Sequence, residues 1–204
     1  MTVIVDYGVG NLFSLKSSFE AVGESASVSS DKNEILSAER IILPGVGAFR
    51  DAAAKLKSSG LGEAVVSAAK NGTPLLGICL GMQLLFERSY EFGCFDGLGL
   101  IPGEIRPISE SIGKGLKIPQ IGWNPLIFTN ETPIFSDIRD GDCVYFVHSY
   151  HAVTAEKYIT AKTEYGGLLT ASVQNGNVFG CQFHPEKSGR TGLSILKAFT
   201  ALTV

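Results

Sequence analysis

In the front part of the chain, short apolar runs alternate with longer stretches in which apolar positions recur every three or four residues. Thr2 to Tyr7 is a β-branched run, and Asn11 then offers capping chemistry to the amphipathic stretch Leu12 to Val22, which Gly23 stops. A short strand near Ala26 to Ser29 leads into Asp31-Lys32-Asn33-Glu34, which has the spacing of a capping box. Arg40 to Leu43 reads as a buried strand ended by Pro44-Gly45. Two helical stretches follow, Ala48 to Lys57 and Leu61 to Lys70, closed by Gly60 and Gly72. The most apolar strand, Pro74 to Ile78, runs without a break into a helix-like pattern from Met82 to Arg88. Repeated strand-helix alternation predicts a parallel sheet with helices on both faces, because parallel neighbours need a crossover between them.

The pattern changes after Glu91. Glycine and proline punctuate Gly93 to Gly122, and the later runs, Cys143 to His148, Tyr158 to Thr163, Leu168 to Gln174 and Val178 to Phe183, are strands with no helix between them. Asn175-Gly176 reads as a type I′ hairpin turn between the last two, and a helix over about Gly192 to Leu202 closes the chain. The expectation is one α/β domain over residues 1–204, its central sheet mixed but mostly parallel, with antiparallel additions in the second half.

Composition narrows the classes of function. Charged residues are 18% of the chain against roughly 25% in an average soluble protein, and the net charge is -3 with no basic block, which excludes a nucleic-acid backbone binder. No apolar run reaches the roughly 18 residues of a membrane span, and the chain opens directly into a strand, so a cytoplasmic location is expected. Cys79, Cys94, Cys143 and Cys181 form no Cys-x-x-Cys pair, which suggests neither a zinc site nor a disulfide framework, and no metal or cofactor is expected. Any chemistry that needs an imidazole must draw on His148, His151 or His184.

The sharpest local feature is Gly77-Ile78-Cys79-Leu80-Gly81, a Gly-x-Cys-x-Gly turn between a buried strand and a helix. It is the thiol counterpart of the nucleophile elbow, in which a strained turn exposes the nucleophile and small neighbours let strand and helix approach closely. Cys79 would sit at a helix N-terminus, where the positive end of the dipole favours a thiolate, and the Leu80 N–H would face a developing oxyanion. The bland alternative is a buried cysteine in a tight turn. A partner for the thiol lies far downstream in Phe183-His184-Pro185-Glu186, at the end of an apolar strand. There His184 would act as base and then acid, with Glu186 orienting its ring across the stiffening Pro185. Both groups would emerge at the carboxyl ends of strands, where open α/β sheets hold their ligands. Pro44-Gly45-Val46-Gly47-Ala48-Phe49, also at a strand end, has amides at Val46 and Gly47 able to complete an oxyanion hole.

Together Pro-Gly-Val-Gly-Ala-Phe, Gly-Ile-Cys-Leu-Gly-Met-Gln and Phe-His-Pro-Glu resemble the class I, triad-type glutamine amidotransferases, whose fold is flavodoxin-like. The finer pattern is similar to the branch whose members are glutaminase subunits of histidine biosynthesis. It consists of Asp6-Tyr7-Gly8-Val9-Gly10-Asn11, Gly122-Trp123-Asn124, Tyr145-Phe146-Val147-His148-Ser149-Tyr150 and His184-Pro185-Glu186-Lys187-Ser188. The resemblance implies that Cys79, His184 and Glu186 hydrolyse L-glutamine through a glutamyl thioester, with Leu80 and Val46 or Gly47 as the oxyanion hole. It implies that Gln83, with backbone around Ser149 and Tyr150, binds the amino-acid end of glutamine. It further implies a heterodimer with a (β/α)8-barrel cyclase subunit that receives the ammonia directly, with Asn11, Trp123 and Lys187 facing that partner. Glycine on both sides of Val46 suggests a peptide that flips to complete the oxyanion hole when the partner is loaded.

Two departures stand out: Gln120-Ile121 replaces the His-Met common before Gly-Trp-Asn, and His151 stands where a second aromatic is common. Both lie outside the triad, and His148 and His151 read as structural or substrate-adjacent. The rival readings are a class I glutaminase feeding pyridoxal phosphate, anthranilate or guanylate synthesis, a γ-glutamyl hydrolase, and a non-catalytic subunit. Gly122-Trp123-Asn124 and Lys187-Ser188 count against the first, and vigorous turnover by the isolated chain would favour the second. The intact Cys79, His184 and Glu186 count against the third.

Overall fold

The computed structural model describes residues 1–203. Its first half builds β1 (Thr2–Val5), α1 (Leu12–Ala21), β2 (Ala26–Ser29), α2 (Lys32–Leu36), β3 (Arg40–Leu43), α3 (Phe49–Ser59), α4 (Leu61–Lys70), β4 (Leu75–Ile78) and α5 (Leu80–Leu84). The second half adds β5 (Phe86–Ser89), β6 (Phe95–Asp96), β7 (Ile101–Pro107), β8 (Gln120–Pro125), β9 (Ile127–Phe128), β10 (Cys143–His148), β11 (Tyr150–Val153), β12 (Ile159–Glu164), β13 (Leu168–Asn175), β14 (Val178–Cys181) and α6 (Gly189–Thr200). An eight-stranded sheet runs in the order β2-β1-β3-β4-β14-β13-β12-β9. It is parallel from β2 through β14 and antiparallel beyond.

The central strands are apolar on both faces because both are covered. Val3 and Val5 point into a core with Ile35, Phe49, Leu56 and Val65 from α2, α3 and α4. Ile4 between them faces Leu15 and Phe19 of α1 and Ile195, Leu196 and Phe199 of α6. The step that positions the site is the insertion of β14 beside β4, with Val178 opposite Leu75 and Cys181 opposite Ile78. Chain segments about a hundred positions apart thus end side by side.

Three expectations are corrected. The helical pattern expected from Met82 to Arg88 stops at Leu84, and Phe86–Ser89 is strand β5 of a four-stranded sheet ordered β11-β7-β5-β6. Met82, Leu84, Leu85 and Phe86 are all buried, so the run has no polar face to hold it helical, and its backbone pairs with Ile101 to Ile105 instead. The hairpin before β14 has Gly176 and Asn177 as its two loop residues, with Asn175 opposite Val178. Only Gly176 of the two has a positive φ, 58°, which is the type II′ rather than the type I′ pattern. The closing helix starts at Gly189, one turn earlier than Gly192.

Candidate active site

Cys79 occupies the turn between β4 and α5 at φ 55° and ψ -111°, a conformation that costs an L-residue about 1–3 kcal/mol. Its surroundings impose it. The Cys79 N–H donates to the Cys181 carbonyl at 2.7 Å, and the Cys79 carbonyl accepts from the Gln83 N–H at 3.2 Å. The helix packs so tightly on the sheet that a Cβ on Gly81 would fall on the Leu43 carbonyl oxygen, and one on Gly77 would meet the Gly81 carbonyl. Because α5 has only five residues, its dipole is that of little more than one turn. A full positive charge comes from His184, on the same cleft.

His184 follows β14, and its N–H donates to the Tyr145 carbonyl at 3.0 Å. Pro185 to Lys187 form one 3₁₀ turn, which folds the Glu186 carboxylate back under the ring so that Nδ1 lies 2.7 Å from Oε1. Ser188 locks the turn, accepting from the Tyr145 N–H at 2.9 Å and donating to the His184 carbonyl at 2.7 Å. Burial works against a charged imidazole here, but hydrogen bonds to Cys79 and Glu186, and the negative charge of both, outweigh it and raise the His184 pKa to about 10. The arrangement puts an imidazolium between a sulfur and a carboxylate, a group that can donate a proton into the cleft.

Above the sulfur opens a cleft of about 380 Å³, within the range that holds a small molecule. Val46, Gly47, Leu80, Gln83, Ser149 and Tyr150 all line it, together with Cys79, His184 and Lys187. Glu186 lies behind the ring, off the cleft. As the first residue of α5, Leu80 has an N–H with no acceptor inside the helix. The Val46–Gly47 segment is pinned on both sides, by the Tyr7 hydroxyl donating to the Pro44 carbonyl at 2.6 Å and by Glu91 accepting from the Phe49 N–H. At its tip, Gly47 has φ 94° and open space where a side chain would stand.

The surface residues sort differently. Trp123 is 55% exposed and packs edge-on against Tyr145 at 6.1 Å, while the Lys187 ammonium sits 5.9 Å from the same ring. These three form a line from the surface to the cleft. Asn11 is exposed and caps α1, its side-chain oxygen accepting from the Ser14 N–H. His148 is a cleft-wall residue whose Nδ1 lies 2.8 Å from the Tyr150 carbonyl and whose Nε2 lies 3.0 Å from the Gln120 amide. Burial above all lowers its pKa to about 4, and burial does the same to His151, whose Nε2 bonds the Ser111 hydroxyl at 2.9 Å.

Three residues of the site were missed in the sequence. Glu91 puts a carboxylate on the cleft wall; it followed a segment read as helix, and only the path of β5 brings it there. Tyr7 lies in the Asp6 to Asn11 motif, and burial, with Cys79 second, raises its pKa so that it stays a neutral donor. Gln182 had no signal beyond being polar among buried neighbours. A larger cavity of about 510 Å³, between α3, α4 and β6, is lined by no cysteine or histidine.

The sequence model of the family described as Glutamine amidotransferase class-I matches residues 3–201. The chain is 49% identical over 200 residues to a protein of Caldanaerobacter subterraneus named imidazole glycerol phosphate synthase subunit HisH, covering 98% of this chain and 97% of that one. It is 50% identical over 198 residues to a protein of the same name from Carboxydothermus hydrogenoformans, covering 97% of each. Among solved structures it resembles PurLQS from Thermotoga maritima, with a TM-score of 0.75 at 23% identity over 98% of this chain and 96% of that one. It also resembles a crystal structure titled glutamine amidotransferase, with a TM-score of 0.73 at 18% identity over 98% and 99% of the two chains.

Proposed function

The chain belongs to the class I glutamine amidotransferases, and on that premise we propose how its cleft does the family's chemistry. It acts as a glutaminase subunit of an imidazole glycerol phosphate synthase, hydrolysing L-glutamine to glutamate and ammonia for histidine biosynthesis. Residues 1–204 are taken as one amidotransferase domain. The Cys79 sulfur attacks the side-chain carboxamide carbon, and the oxyanion forms against the Leu80 N–H and a Val46 or Gly47 N–H. The His184 imidazolium gives its proton to the amine, ammonia leaves, and a γ-glutamyl thioester remains on Cys79. His184, now neutral, takes a proton from water as it attacks the thioester; glutamate departs and the thiolate–imidazolium pair is restored. The Glu91 carboxylate and the Gln83 side chain suit the substrate ammonium, and backbone at Ser149 and Tyr150 suits its carboxylate.

The ammonia passes to a (β/α)8 cyclase subunit in a heterodimer, which uses it to form imidazole glycerol phosphate and aminoimidazole carboxamide ribonucleotide. Direct transfer is required because free ammonia at neutral pH is mostly protonated and no longer a nucleophile. Lys187 and Trp123 face that partner from the cleft side, with Asn11 on the same interface. A flip of the Val46–Gly47 peptide, allowed by the open space at Gly47, links partner loading to turnover. A cytoplasmic location goes with this reading: the four cysteines are free, and no helix among the described residues is long and apolar enough to cross a membrane.

The observation that supports the mechanism best is that Cys79 and His184 line one cleft, with Glu186 bonded to the far nitrogen of the ring by a 2.7 Å Nδ1–Oε1 contact. In the reconstituted complex, Cys79→Ala should abolish synthesis with glutamine and leave synthesis with added ammonium salts intact. Loss of both together would overturn the division of labour.

A further inference from the structure

We propose that Gln182 is a further catalytic residue, whose side-chain N–H holds the Cys79 sulfur as a thiolate; this rests on Cys79 being the nucleophile. Gln182 is fully buried, its backbone N–H donating to the Ala171 carbonyl at 2.9 Å at the end of β14. Its Nε2 lies 3.8 Å from the Cys79 sulfur, and its Oε1 lies 3.0 Å from the Nε2 of Gln83. The direction of this relay is fixed from outside. The Gln83 Nε2 also lies 3.2 Å from the Tyr150 carbonyl, which can only accept, so the amide nitrogen and not the oxygen of Gln83 must face inward. Gln182 must then turn its oxygen toward Gln83, which leaves its N–H aimed at the sulfur.

Two consequences follow. A thiolate accepts an N–H bond far more strongly than a thiol does, so the relay favours the reactive form and shortens as the charge develops. Gln83 has both amide hydrogens committed, to Tyr150 and Gln182, so it offers the cleft only its carbonyl oxygen. A glutamine bound there must meet Gln83 with an N–H donor, which admits its ammonium group and not its carboxylate, and contact with Gln83 is coupled through Gln182 to the nucleophile.

The test reads the thiolate directly rather than turnover. Iodoacetamide alkylation of Cys79 is followed against pH in a Cys94→Ser, Cys143→Ser background, since those two cysteines are exposed. Gln182→Met keeps the volume and removes the donor; alkylation at neutral pH should fall about tenfold or more, and the profile should move to higher pH. Gln182→Glu, which replaces the donor with a carboxylate, should move it further in the same direction. The other titratable groups around the sulfur and cleft, His184, Glu186, Tyr7, His148, Tyr150, Glu91 and Lys187, are the same in all variants. Gln83→Met guards against a folding defect at Gln182, because it frees the Gln182 amide to turn and should give a smaller shift of the same sign. Folded variants that alkylate with the wild-type profile would overturn the proposal. A wild-type Cys79 that fails to alkylate selectively would instead overturn the nucleophile assignment.

Discussion

His184 and His148 flank one cleft and are equally buried, 4% and 5% exposed, yet the end of β14 holds the first charged while the end of β10 holds the second neutral. Desolvation opposes the charge at both. At His184 it is overcome by a carboxylate on Nδ1 and the Cys79 sulfur; at His148 the ring meets a carbonyl and an amide, dipoles too weak to offset the loss of water. Repulsion from His151, when that ring is protonated, and from His184 pushes His148 further down. Ionic partners, rather than depth, decide which histidine can serve as acid and base.

The largest effect that would break this contrast is expected from Glu186→Gln, which keeps the shape and removes the charge. Glutamine turnover in the complex should fall about 10²- to 10⁴-fold in kcat/KM, as when the acid of a triad is neutralised. A loss of less than about tenfold would mean that the Cys79 sulfur alone is enough to charge the ring. Next in size is the pH dependence of stability, read by urea unfolding. His184 has a raised folded-state pKa, so its contribution is complete below the unfolded value near 6.5 and disappears as pH climbs through about 10. His148 and His151 have lowered ones, so theirs is complete above 6.5 and disappears as pH falls through about 4. The alkaline limb should amount to about 5 kcal/mol and the acid limb to about 3 kcal/mol per histidine. Glu186→Gln should flatten the alkaline limb alone and His148→Gln part of the acid limb alone; a wild-type profile flat on both sides would remove the contrast. The smallest effect belongs to Gln120→Leu, which leaves the His148 Nε2 without its partner. It should cost about 1–2 kcal/mol in urea unfolding and leave glutamine turnover within about twofold.

Legibility in the sequence follows the range of the interaction that sets each feature. The elbow at Cys79 is written in five consecutive residues, since the glycines that permit the close approach adjoin the strained one. His184 and Glu186 are two residues apart, and the turn through Pro185 makes their bond a local event. Glu91 was hidden because the buried run Met82 to Phe86 carries no period of its own, and only pairing with β7 shows it to be a turn into a strand. Gln182 was hidden for a related reason. A lone glutamine at the end of an apolar strand acquires meaning only once β14 lies against β4 and its amide can reach sulfur.

The sequence by itself determined the parallel α/β plan, the elbow, the adjoining His184 and Glu186 and the family, because each rests on contacts between residues close along the chain or on a pattern carried over its whole length. Tertiary structure decided what those parts meet. It placed β14 in the slot beside β4, turned the Gln182 amide toward the sulfur, set Glu91 on the wall, and left one of two equally buried histidines charged and the other neutral. Partners brought from distant strands, in a site with little water to screen them, set those charges and hydrogen-bond directions, and no local pattern encodes which strands will be neighbours.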